Sequence, residues 1–343
     1  MTKRELFLAN AYGQYTERTP IWIMRQAGRY LPEYRRVREE YSFEEICKTP
    51  KLAAEVTMQP VDIFGFDAAI IFSDILFVLE PLGFDLRYEP GPILSPLLEK
   101  PEQIKKLKSY EPETHLSFVA EALVETRKRL ADDTALLGFC GAPFTLFCYL
   151  CGSTNGDGSG KALNFLNNYP HESRFLLDTL SDISAGYLTM QIKAGADAVQ
   201  IFDTSAGELS SEEFRQWSFP YLDKIIDRIK RLNGIVSLFI KGTHHLLDDI
   251  NRLKADIISV DWMTPISEAR SKLRPKTIQG NLNPNTLFGT GDNVIAEATG
   301  ILDSMSDYPG FIFNLGHGIL PETPVENVRA LVETVHSYRR KNK

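Results

Sequence analysis

The chain has 343 residues, of which 43% are hydrophobic and 24% charged, values of a folded globular chain rather than a disordered or coiled-coil one. Its 38 basic and 45 acidic side chains leave a net charge of −7, which argues against a broad nucleic-acid-binding surface. Asp74 interrupts the most apolar stretch, 68–79, so no run reaches the roughly 18 residues of a membrane span, and the N-terminus lacks the apolar core of a signal peptide. Four cysteines in a chain this long make no disulfide framework, and a cytoplasmic protein is expected.

In chain order, short apolar, β-rich runs fall at 21–24, 68–72, 135–139, 198–202, 235–240, 257–260, 277–278 and 311–314. The intervals between them are long enough for helices, and 173–192 and 211–232 carry helical spacing. Buried strands alternating with amphipathic helices predict a single-domain (β/α)8 TIM barrel over residues 1–343, its cleft at the C-terminal ends of the strands. An open, doubly wound sheet is the competing arrangement, kept open by the two weak runs at 257 and 277. The Pro/Gly-rich stretch 90–101 reads as an ordered excursion after the second strand, and 152–160 as a polar, Gly-rich loop.

Each run ends in polar residues or glycine. Between Arg25 and Arg38 stand five arginines and one acid, Glu33, a local excess of positive charge in a net-negative chain. Arg35 and Arg36 read as a solvated helix face paired with Glu39, Glu40, Glu44 and Glu45. Arg25 and Arg29 instead leave a buried strand and flank Gly28, which lets backbone approach a ligand, so an anion site is expected there. Asp74 ends one apolar run and begins another; it fits a helix cap and a carboxylate at the cleft equally well. His317 sits between two glycines after the last run, where barrels commonly hold anions, although a turn needing glycine twice has the same sequence.

Cys148 and Cys151 form a C-x-x-C pair inside an apolar helical turn, which reads as buried free thiols rather than a redox or zinc site. His244 and His245 read as the solvated start of a helix. Lys241 ends a strand, where an ion-paired lysine is the commoner role and a Schiff-base aldolase the outside alternative. No phosphate-binding loop, H-E-x-x-H or dinucleotide fingerprint occurs, which disfavours ATP and NAD.

Segment 20–35, PIWIMRQAGRYLPEYR, resembles the N-terminal signature of the uroporphyrinogen decarboxylase family, and 138–145, GFCGAPFT, resembles its second. Further matches are IFSDIL at 71–76, QIFDT at 200–204, QGNL at 279–282 and FNLGHGILP at 313–321. The resemblance implies a homodimeric (β/α)8 barrel that uses no metal or organic cofactor. It implies removal of CO2 from the four acetate side chains of uroporphyrinogen III, giving coproporphyrinogen III for haem synthesis. Carried over by motif, the substrate-contacting positions are Arg25, Gln26, Ala27, Gly28, Arg29, Asp74, Tyr149, Thr204 and His317, with Phe43 and Arg38 as further cleft positions. Of these, Asp74, Arg29, Arg25, Tyr149 and His317 are the expected catalytic set, with the proton donor expected to be Arg29 or a water it holds. Two alternatives stay open, a cobamide-dependent methyltransferase of the same superfamily and a non-catalytic porphyrin-binding protein. The first binds zinc through a His-x-Cys pair, and none of the six histidines here is followed two residues later by cysteine. The second has no need of Asp74.

Overall fold

The computed structural model describes residues 1–130, 132–153 and 158–340, so the loop expected at 152–160 lies partly outside the described residues. Its strands are β1 (Ala68–Ile70), β2 (Asp85–Tyr88), β3 (Pro92–Ser95), β4 (Ala135–Gly141), β5 (Ala198–Asp203), β6 (Ile235–Ile240), β7 (Ile257–Ser259), β8 (Thr277–Leu282) and β9 (Phe311–Leu315). Seven of them form one parallel sheet in the order β1-β4-β5-β6-β7-β8-β9. Strands β4, β6, β8 and β9 are buried along their whole length, as expected of a parallel sheet covered by its crossover helices. The order never reverses, so the crevice of a doubly wound sheet has no place in it. The two weak runs both form strands, and the second is longer than its apolar part because the polar residues 279–281 are themselves buried in the sheet. The excursion after β1 is the antiparallel hairpin β2–β3.

The first apolar run behaves differently. Instead of a strand over 21–24 there is a single parallel bridge, Ile21 to Phe313 of β9. Beyond it, side-chain amides take over the ladder: the Ile23 N–H donates to Gln26 Oε1 at 3.2 Å and the Met24 N–H to Asn314 Oδ1 at 3.0 Å. This segment still touches both edges of the sheet. The Phe313 N–H donates to the Pro20 carbonyl at 2.8 Å, and the Asp67 N–H, just before β1, donates to the Ile21 carbonyl at 2.9 Å.

A repeated device fixes strand register at the N-terminal end of the sheet. Asp67, Asp197 and Asp256 immediately precede β1, β5 and β7. Each donates its own N–H to the neighbouring segment, to Ile21, Leu136 of β4 and Val236 of β6. Each carboxylate then accepts the N–H of that same residue, at 2.8, 2.8 and 2.9 Å. A cation completes each set: Arg18 for Asp67, Arg4 and Arg127 for Asp197, and Lys230 for Asp256, all at 2.6 Å. Ile21 therefore stands to β1 as Leu136 stands to β5 and Val236 to β7. Inside the sheet, the Trp22 indole N–H donates to Gln279 Oε1 at 2.9 Å and the Gln279 amide to Gln200 Oε1 at 3.1 Å. This buried chain ties segment 20–22 to β8 and β5.

Candidate active site

The loop that follows Ile21 is shaped by what it must leave room for. Arg25 has φ of 63°, a left-handed backbone rare for a residue with a side chain. Its side chain runs across Gly318, where a Cβ would stand 2.5 Å from Arg25 Cδ. Gly316 is needed for a second close approach, since its Cβ would stand 2.2 Å from the Trp262 nitrogen. The two glycines around His317 are thus required by packing, and that packing also brings His317 to Arg25.

Gln26 is fully buried, and its amide donates to the Ala68 carbonyl of β1 at 3.1 Å while capping Ile23. Its side chain holds the loop onto the sheet and turns away from solvent. Ala27 is buried and Gly28 half-buried, whereas Arg25 and Arg29 are exposed and form no ion pair among the described residues. Arg35 donates to the carbonyls of Arg29 and Tyr30 at 2.9 and 3.2 Å, bracing the loop, and Arg36 pairs with Glu33 at 3.2 Å. Those two do belong to a solvated helix face, with partners other than the acids expected. Arg38, exposed on the helix Pro32–Glu40, donates to the Tyr41 carbonyl at 2.7 Å. Phe43 opens the helix Phe43–Lys48 and packs on Phe72 and Tyr88 at ring-centroid distances of 5.6 and 4.6 Å.

Asp74 satisfies both of its sequence readings. Oδ1 accepts the Leu76 N–H at 2.8 Å, a local cap for the turn ahead of Phe77, while the half-buried side chain keeps an open face. The protein atoms crowded round it push its carboxyl up from the ordinary value; the Leu76 N–H, the Tyr88 hydroxyl and the Arg25 charge oppose that rise. His317 lies between Phe239 and Trp262, each ring 6.0 Å from its own. Burial first, then the charges of Arg25 and Lys241, push it down to about 4, so its imidazole is neutral near pH 7.

Tyr149 is half-buried near the end of the helix Pro143–Leu150, and Thr204 follows β5. Buried Asp203, missed in the sequence, organises that turn: it accepts from Thr145 Oγ1 at 2.6 Å and Ser218 Oγ at 2.8 Å, and Thr145 accepts the Ser205 N–H at 3.1 Å. Burial raises the Asp203 carboxyl to about 6 against those hydrogen bonds. Asp203 is a scaffold for Thr204, and the FDT motif was the available signal. All four cysteines are buried free thiols, and burial pushes the thiols of Cys140, Cys148 and Cys151 up, that of Cys151 to about 12, which leaves them unreactive. His244 and His245 begin the short turn His244–Leu246, with His244 Nδ1 3.2 Å from Glu268. Among the described residues no cluster of three or more His, Cys, Asp or Glu is placed to hold a metal ion.

The structure thus brings Arg25 within electrostatic range of both Asp74 and His317, with Lys241 also in range of His317. A surface depression of about 690 Å³ lies elsewhere, on the outer helices, lined by Glu33, Glu40, Glu55 and Asp62 against Arg36 and Arg129. Its net sign is wrong for an anionic ligand. Fold and loops together describe an α/β protein whose parallel sheet carries exposed cations and a half-buried carboxylate just beyond its strands. Comparison with known proteins narrows this. Residues 2–338 match the sequence profile of the family described as uroporphyrinogen decarboxylase (URO-D). Proteins named uroporphyrinogen decarboxylase from Geotalea uraniireducens and Geobacter sulfurreducens are 42% and 41% identical, each over 98% of this chain and 99% of their own. Among solved structures, a methyltransferase from Methanosarcina mazei superposes with a TM-score of 0.83 over 98% of both chains at 21% identity, a likeness of fold alone. The chain belongs to the uroporphyrinogen decarboxylase family.

Proposed function

We propose that the protein removes CO2 from the four acetate side chains of uroporphyrinogen III to give coproporphyrinogen III, in a single closed (β/α)8 barrel. The observation that carries this reading is the approach of exposed Arg25, which forms no ion pair among the described residues, to half-buried Asp74 in a chain matched over 2–338 by that family. Closure is supported by segment 20–22, which bonds to Asp67 just ahead of β1 on one side and to β9 on the other.

The chemistry follows from the groups present. The substrate carries eight carboxylates, and a chain of net charge −7 must collect it with a local cationic patch, supplied by Arg25, Arg29 and Lys241. A pyrrole serves as its own electron sink: a proton added at a ring carbon makes a cation. Breaking the bond to the carboxylate then releases CO2 and returns its electron pair to the ring system, leaving an exocyclic methylene. Protonation of that carbon completes a methyl group and loss of the first proton from the ring carbon restores the pyrrole, so each acetate consumes one proton net. Ionised Asp74 stabilises the ring cation and accepts pyrrole N–H groups, a preorganised electrostatic role. Neutral His317 orients a carboxylate by donating a hydrogen bond. Tyr149, Thr204, Phe43 and Arg38 complete the substrate walls, and Gln26, Ala27 and Gly28 shape the loop between the arginines.

No described helix is long and apolar enough to cross a membrane, which is compatible with a cytoplasmic enzyme. A homodimer is part of the same reading and is tested by analytical ultracentrifugation. The methyltransferase alternative needs a thiolate-containing zinc set, and the described cysteines are buried away from any such cluster. The direct test is anaerobic incubation of chelator-treated protein with uroporphyrinogen III and chromatography of the oxidised porphyrins. Hepta- through tetracarboxylate products are expected; unchanged octacarboxylate contradicts the reading.

A further inference from the structure

The hairpin β2–β3 leaves the sheet, folds back, and sets one side chain beside Asp74. That residue is Tyr88, the last of β2, paired across the hairpin with Pro92. Its ring is clamped by Phe43 at 4.6 Å and Phe77 at 6.1 Å, both of them neighbours of the cleft. Its hydroxyl oxygen is buried and, in the resting geometry, completes no hydrogen bond. A buried polar atom left in this state is costly unless a neighbouring acceptor takes up its hydrogen bond. The acceptor within its reach is the Asp74 carboxylate.

We propose that Tyr88 is a positioning residue for Asp74: its hydroxyl donates to the carboxylate and holds it ionised, with its open face toward the cleft. The role deepens, and rests on, the reading of Asp74 as the carboxylate that stabilises the pyrrole cation. The Leu76 N–H occupies Oδ1, and Arg25 approaches from the loop after Ile21. Cys47 faces Asp74 from the helix Phe43–Lys48 and Tyr187 from the helix Pro170–Lys193, and burial keeps both protonated. Glu80 faces Tyr88 and is paired with Lys48 at 2.8 Å. Burial and the adjoining carboxylates likewise drive the Tyr88 phenol up, so it remains a donor across the working range. Because burial raises the Asp74 carboxyl, each donor counts toward keeping it charged.

The test is Tyr88→Phe, which keeps both ring contacts and deletes the hydroxyl. Two readouts are taken: the acid limb of kcat/KM for uroporphyrinogen, and the carbon-13 NMR titration of Asp74 in substrate-free protein, assigned by difference from Asp74→Asn. We expect both to move up by about one pH unit, with the plateau kcat changed less than about threefold and the melting temperature held. In an Asp74→Asn background, Tyr88→Phe has no effect on residual turnover. An unmoved NMR titration overturns the proposal. If the wild type fails to turn over uroporphyrinogen, the functional reading falls while the NMR titration still decides whether Tyr88 controls Asp74.

Discussion

At the N-terminal ends of β1, β5 and β7, Asp67, Asp197 and Asp256 are each satisfied by a backbone N–H and at least one cation. At the opposite ends, Arg25, Arg29 and Lys241 form no ion pair among the described residues, and Asp74 accepts one backbone N–H with the Tyr88 hydroxyl and the Arg25 charge in range. The same residue types are closed off at one end and left available at the other. A satisfied buried pair fixes register and has nothing left to offer a ligand. An unsatisfied cation at the rim costs little in water and is ready for a carboxylate. In a parallel α/β fold this is the division expected between the stability end and the chemical end.

Breaking the closed end comes first in magnitude. Asp67→Ala leaves the partly buried Arg18 without its partner and the Ile21 N–H without an acceptor, and we expect a loss of about 3–5 kcal/mol in urea unfolding. The turnover of the folded fraction should hold within about twofold; a matching fall in kcat would erase the contrast between the two ends. At the open end, Arg25→Ala or Arg29→Ala should raise KM for uroporphyrinogen about 10- to 100-fold, the worth of a charge-assisted hydrogen bond, with little change in melting temperature.

A smaller effect separates the two ends through pH. Burial alone would raise the Asp67 carboxyl, but His336 and Arg18 outweigh it and hold it below the ordinary range. Its contribution is therefore complete above the unfolded carboxyl value of about 3.9 and is lost as pH falls through the lowered folded value. Asp67→Asn should flatten acid destabilisation below about pH 4 relative to wild type, as read by circular dichroism. The smallest effect belongs to His317. With its imidazole held down at about 4, kcat/KM should show no histidine limb between about pH 5.5 and 7.5, and His317→Gln should change it less than about threefold. A limb near 6.5 that disappears in that variant would make His317 the proton donor instead.

Much of this was legible locally. Strand positions followed from apolar runs, and the Arg25–Arg29 loop from arginines flanking a glycine, because both signals sit within a few residues. The strand expected at 21–24 shrank to one bridge because Gln26 and Asn314 side chains replaced its backbone partners, a substitution that sequence periodicity does not register. The repeated Asp before β1, β5 and β7 is visible as D-A-A, D-A-V and D-I-I, yet its meaning depends on which strands lie side by side. Asp203 acts through Ser218, and the role proposed for Tyr88 runs through Asp74; chain reversal brings both pairs together, and neither has a local pattern.

In the proposed reaction Asp74 is the main electrostatic stabiliser of the ring cation, while the fold rests on the opposite end of the sheet. Single-turnover decarboxylation of uroporphyrinogen III by Asp74→Asn, with the melting temperature recorded on the same sample, tests it most directly. We expect a rate lower by about 10²–10³ at unchanged melting temperature. A loss of less than about tenfold would contradict it and move the stabilisation of the ring cation away from Asp74.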